Sequence, residues 1–287
     1  MRKGRWLALV FGAVLLSEPV GAEEGWRSLL DPELSQWEAY LSYAHPSLEV
    51  NGPPLGADGN PMEPLGLGND PRGVFTMLEE DGEPVLRISG EIYGAISTLE
   101  EFEHYHLTLQ VKWGEKKWPP RLEEPKDTGL LYHSIGEYGV DYWLSWKLSQ
   151  ELQIMEDAMG DYWTIAGAKV DIRCALTEVG VYRYNPAAPL VSDRGLGDYC
   201  QRSANHERPD GEWNTVELMT FGGRSVHIVN GHVVMALEGS RYFDGEAWRP
   251  LTRGALQIQS EAAEMFFKDI RIRSIEAMPA EYAAHFE

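Results

Sequence analysis

Positive charge is scarce in this sequence. Its 287 residues carry 25 Lys and Arg against 45 Asp and Glu, a net charge of −20. So acidic a surface repels nucleic acid and anionic lipid, which are held by basic patches. Neutral ligands such as sugars, or cations, suit it better, and the same charge favours solubility. Apolar runs long enough to span a bilayer are missing beyond Leu16. Sustained helical periodicity is missing too. Only Pro32 to Trp37, with Asp31 as cap, reads as a turn or two of helix. There is no internal repeat and no low-complexity tract. Cysteine is limited to Cys174 and Cys200, so at most one internal disulfide is available.

The chain opens on the basic Met1 to Arg5, continues through the apolar Trp6 to Leu16 and reaches Val20-Gly21-Ala22. A basic head, a short apolar stretch and a small-residue cleavage site predict a secretory leader over residues 1–22, and hence a secreted or periplasmic protein. Export and an even cysteine count favour a Cys174–Cys200 bridge, with buried free thiols as the alternative. Such a bridge stabilises by roughly 3 kcal/mol through lost unfolded-state entropy.

Strand signals fill the rest. His104 to Trp113 alternates cleanly, with Tyr105, Leu107, Leu109, Val111 and Trp113 on one face and His104, His106, Thr108, Gln110 and Lys112 on the other. Trp213 to Met219, Ala255 to Gln259 and Met265 to Ile272 also read as strands. Ser225 to Val229 and His232 to Ala236, joined by Asn230-Gly231, read as a hairpin, since Asn-Gly readily takes the positive φ of a type I′ turn. His45 to Gly73, rich in Pro, Gly and Asn, reads as a long surface loop. Many short strands with Gly/Pro turns predict an all-β sandwich of two antiparallel sheets. One domain is expected over residues 25–275, with a tail over 276–287.

The segment Glu151-Leu-Gln-Ile-Met-Glu-Asp157 carries the chemistry. Strand side chains alternate, so Leu152 and Ile154 enter a core while Glu151 and Gln153 share the opposite face. A carboxylate beside an amide suits sugar hydroxyls or proton transfer. A solvated outer face is the plain alternative.

The order of motifs resembles the 3-keto-disaccharide hydrolase domain family from about Trp26 to Ile275. The resemblance rests on Leu78 to Glu91, Lys112 to Arg121, Asp127-Thr-Gly-Leu-Leu-Tyr-His133, Glu151-Leu-Gln-Ile154, Gly160-Asp-Tyr-Trp163, Gly211-Glu-Trp-Asn214, Val229-Asn-Gly231 and Leu256 to Glu264. Asp127-Thr128 and Ala262 depart from the family pattern without removing an ionisable group. The resemblance implies a concanavalin-like jelly roll with a ligand groove on one sheet. It also implies action on glycosides already oxidised to a ketone at C3.

Such a ketone makes the C2 proton acidic, so a general base removes it and the enolate expels the C1 aglycone, after which water adds. The expected catalytic groups are Glu151 as base or metal-binding carboxylate, His133 as acid/base or metal ligand, and Glu156. Expected sugar-binding groups are Gln153, Trp163, Glu91, Lys147 and Gln259, with Trp143 and Trp146 as further stacking platforms. A divalent metal ion held by carboxylates and a His is one way to stabilise the enolate. His104 and His106 share a face but lack a third ligand, which leaves them as a solvated face. Glu151-Leu-Gln-Ile-Met-Glu156 also resembles the Glu-x-Asp-x-x-Glu strand of family 16 glycoside hydrolases, but Gln153 stands where that Asp would be. A carbohydrate-binding sandwich without activity is the alternative to an enzyme.

Overall fold

The computed structural model describes residues 25–43, 53–141 and 144–287. The expected leader, Trp143 and part of the loop from His45 to Gly73 lie outside the described residues. Among these residues the strands form two antiparallel sheets packed face to face. The main path of the larger one runs Tyr182–Tyr184, Lys169–Leu176, His232–Phe243, Arg224–Val229, Asn214–Phe221, Tyr105–Lys117, Ala263–Ser274, Glu83–Ile88, Phe75–Glu80. The smaller runs Tyr199–Cys200, Tyr162–Ile165, Leu148–Met155, Asp127–Ile135, Ala255–Ser260, Gly94–Thr98, Trp37–Leu41, Gly66–Leu67.

Alternation fills the space between the sheets. Tyr105, Leu107, Leu109, Val111 and Trp113 all point inward, as the pattern predicts. Leu130, Tyr132, Leu152, Ile154, Leu256 and Ile258 meet them from the smaller sheet. Each fully buried aliphatic side chain contributes about 1.5–3 kcal/mol, so the inner faces fix the strand register. The odd-numbered residues of Leu148–Met155 are thereby committed to the outer face of the smaller sheet.

The hairpin forms where Asn230 (φ 49°) and Gly231 (φ 80°) both take left-handed backbone angles. The turn after Asp31 does not become a helix. The Asp31 carboxylate accepts the backbone N–H groups of Glu33 and Ser35, and Leu34 turns left-handed at φ 53° before the strand Trp37–Leu41 begins. The tail packs back as the short helix Ala280–Ala283 and a 3₁₀ turn, burying Phe286 in a second apolar cluster. In that cluster Cys174 and Cys200 are buried free thiols, so the expected disulfide is absent. They approach from different sheets and share a thiol–thiol hydrogen bond, which lowers Cys174 and, with burial, raises Cys200. No helix among the described residues is long and apolar enough to cross a membrane.

Truncating Ile154 tests how far the site depends on this core. Ile154→Ala should destabilise the fold by about 2–5 kcal/mol, read as a lower urea midpoint at unchanged slope. An unchanged midpoint would show that the Glu151 strand is not anchored through its inner face.

Candidate active site

Three neighbouring strands present polar side chains on the outer face of the smaller sheet. Leu148–Met155 supplies Glu151 and Gln153; Asp127–Ile135 supplies Asp127, Gly129 and Leu131; Ala255–Ser260 supplies Gln257 and Gln259. Gly129 lies opposite Gln153 in the ladder, and Leu131 lies opposite Glu151. The glycine makes room for what leans over it. A Cβ there would collide with Glu151 Oε1 from one side and Gln259 Oε1 from the other. Two oxygens therefore converge above Gly129, a place for a proton or a ligand hydroxyl between them.

These groups are deeply buried yet poorly satisfied. Gln259 is 1 % exposed, and both its amide oxygen and its amide nitrogen lack hydrogen-bond partners, as does Gln153 Oε1. A buried polar atom left unpaired costs about 1–3 kcal/mol, so their alignment around one spot fits a surface that a ligand completes. Glu151 is 4 % exposed. Burial raises its carboxyl well above the usual carboxylate range, and the neighbouring Asp127 and Asp141 raise it further.

Arg121 is the nearby cation, but its charge is already shared. It donates to Asp127 Oδ2 at 2.6 Å and to Glu261 Oε1 at 2.9 Å. Burial pushes Asp127 up to about 7 against the pull of Arg121, whose guanidinium is itself held above its ordinary value by the two carboxylates. Asp141 arrives from the loop between the two central strands, and its carboxylate accepts the Ala166 N–H. Among the described residues, no three His, Cys, Asp or Glu side chains are arranged around one metal position. The described residues therefore offer no ready-made ligand set for the divalent ion considered from the sequence.

Of the residues expected from sequence, the structure brings together Glu151, Gln153, Gln259 and Trp163. Trp163 lies opposite Glu151 in the ladder and is 38 % exposed. His133 is a correction. A bulge between Tyr132 and Ile135 turns it inward at φ 53°, against the ring edges of Tyr105 and Tyr132. Burial there pushes its pKa down to about 3. It is neutral and faces the core. Glu156 is a second correction. It follows the strand end, accepts the Lys126 N–H at 2.8 Å and lines a separate cleft of about 430 Å³ with Asp157, Glu207 and Asp210. The paired Glu of a family 16-like strand is therefore not assembled beside Glu151.

Glu91 pairs with Arg72 at 3.4 Å in the loop before Gly94–Thr98. Lys147 sits on the right face but places its Nζ 4.3 Å over the Tyr138 ring. Trp146 is buried and donates to the Gly94 carbonyl. His106 pairs with Glu217 at 2.8 Å, and the His104 ring lies against Phe221. Asp127, Arg121, Glu261 and Asp141 went unassigned in the sequence. The first three stand inside the motifs that carry the family resemblance, while Asp141 has no sequence signal.

The raised pKa of Glu151 makes a prediction about stability. Its protonated form is favoured in the folded state, so this contribution is complete below its unfolded value and is lost as pH rises through the folded one. Glu151→Gln removes that loss. The melting temperature of the variant should exceed that of wild type by a margin that grows from pH 5 to pH 9. A constant margin would mean that Glu151 titrates normally.

The chain is similar to several solved structures. A protein of Parabacteroides distasonis provisionally assigned as a glycosyl hydrolase has 17 % identity, with 90 % of this chain and 99 % of that one covered, at a TM-score of 0.49. The Bacillus licheniformis β-glucanase has 8 % identity over 89 % of this chain and 100 % of that one, at 0.40. The carbohydrate-binding module CBM66 of Bacillus subtilis also has 8 % identity, over 70 % and 92 %, at 0.40. No curated protein matches. The model of one family matches residues 25–273. The chain is a carbohydrate-active protein and belongs to the 3-keto-alpha-glucoside-1,2-lyase-like domain family.

Proposed function

We propose that this protein cleaves glycosides bearing a ketone at C3, with Glu151 removing the proton from C2. The observation that carries this reading is the Glu151 carboxyl, buried above Gly129 between the unsatisfied amides of Gln153 and Gln259. A carboxylate whose proton affinity is raised by burial is a stronger base than one in water, and it returns the proton more slowly to solvent.

The ionised Glu151 takes the C2 hydrogen as a proton. The electron pair of that bond forms the C2=C3 enolate, with its charge on the former ketone oxygen. The Gln259 amide can turn its N–H groups toward that oxygen. The enolate then re-forms the ketone, making C1=C2 and breaking the bond from C1 to the aglycone oxygen. That oxygen recovers the proton held by Glu151. Water addition across C1=C2 completes a net hydrolysis, and release before that step gives a lyase product. No second carboxylate on the opposite face of the sugar is needed, unlike an ordinary retaining glycosidase. Gln153 would grip a sugar hydroxyl. The leader read over residues 1–22 would export the protein.

Purified protein given a 3-keto-disaccharide should release the aglycone sugar. Glu151→Gln keeps the size of the side chain and removes its basicity, and should slow turnover about 100-fold to 10,000-fold. Gln153→Ala should raise KM more than it lowers kcat. Wild-type turnover by Glu151→Gln would remove Glu151 from the chemistry. Tight binding of the keto-sugar by wild type with no cleavage would make this a binding protein.

A further inference from the structure

Resting on that reading, we infer that the aglycone of the bound glycoside lies over Trp163, which makes this residue the selector among aglycones. Trp163 stands directly across the ladder from Glu151 on the same outer face. Side chains so paired have Cβ atoms about 4.5–5.5 Å apart, the right separation for the two halves of one glycoside. The indole is 38 % exposed, in contrast to the buried amides beside it.

The opposite flank is closed. On the other side of Glu151, Leu131 is fully buried in a cluster with Trp146 and Tyr43, and Leu144 packs against it; the cluster also takes in Ala95, beside Gln259, and Ile165, on the strand of Trp163. Further along, Tyr138 stacks on Tyr40 at 4.5 Å and 9° and donates its hydroxyl hydrogen to Ser97 Oγ at 2.6 Å. Gln257 is spent there as well, donating to Ser97 and accepting from the Lys147 N–H. A sugar reacting at Glu151 meets buried, already bonded side chains across this flank. Its aglycone extends toward Trp163.

The platform is also rigid. Trp163 rests against Tyr199, its cross-strand neighbour, with ring centroids 4.6 Å apart. The Tyr199 hydroxyl donates to the buried Asp161 carboxylate, which also accepts the Arg202 backbone N–H at 2.9 Å and Arg202 Nη1 at 3.0 Å. An indole held this way loses little freedom when a ligand covers it, so stacking is not offset by ordering entropy. The chemical class that fits is an uncharged aglycone with a flat apolar face, either an aryl group or the C–H face of a pyranose. A carboxylated or phosphorylated aglycone is disfavoured because the ionised Glu151 that the reaction needs stands directly across from Trp163.

The test compares methyl and 2-phenylethyl 3-keto-glucosides, whose leaving groups are both alkanols. In wild type the phenylethyl substrate should have the higher kcat/KM. Trp163→Ala should lower the phenylethyl-to-methyl ratio of kcat/KM roughly two- to tenfold, and Trp163→Phe should restore most of it. An unchanged ratio in Trp163→Ala would overturn the assignment even if both rates fall. Binding reads the platform without turnover. In the Glu151→Gln background, Trp163→Ala should weaken phenylethyl keto-glucoside by a similar factor, and equal affinity would again overturn it. Failure of wild type to cleave either substrate, with the affinity difference intact, would instead refute the proposed reaction and leave the platform standing.

Discussion

The burial of the Glu151 carboxyl without a cation of its own is the constraint on which the site depends. Arg121 is close enough to act on it but is held by Asp127 and Glu261. Asp127 and Asp141 add like charge instead. The protein thus keeps a costly group in a dry place, and the sandwich core supplies the stability that permits it. Leu152 and Ile154, on the inner face of the same strand, fix the position of Glu151 to within the precision of the core packing.

The same constraint explains the unusual glycine. Gly129 leaves space for two large polar side chains from neighbouring strands to lean over it, so the cradle is made by an absent Cβ. The orphaned amides of Gln153 and Gln259 then form a hydrogen-bonding rim around a base of raised proton affinity. Hydroxyls and a ketone oxygen are the groups such a rim satisfies. Proton removal next to a carbonyl is the chemistry such a base suits.

The parts of this arrangement governed by alternation were legible in the sequence. The inward row from Tyr105 to Trp113, the Asn230-Gly231 hairpin and the shared face of Glu151 and Gln153 all follow from a two-residue period. His133 was not legible, because alternation puts it beside Leu131, while one extra residue in a bulge turns it into the core. Glu156 follows the end of its strand, where alternation no longer dictates direction. Asp141 reaches Glu151 through a loop, and Arg121 joins the nearby Asp127 to Glu261 from a distant part of the chain. Such convergence leaves no periodic trace. The cysteine pairing failed for a related reason: composition brings Cys174 and Cys200 into one expectation, but burial at the seam of two sheets leaves them as neighbouring thiols.

Proton abstraction at C2 is the central claim, and isotope incorporation tests it most directly. A 3-keto-glycoside with hydrogen at C2 is turned over in D2O, and the released keto-sugar is analysed by NMR before uncatalysed exchange sets in. Elimination through Glu151 predicts that the C2 hydrogen is lost, leaving either deuterium at C2 after hydration or a C1=C2 double bond with no hydrogen there. Release of the aglycone with the original C2 hydrogen retained would contradict the mechanism, and would point to direct displacement at C1.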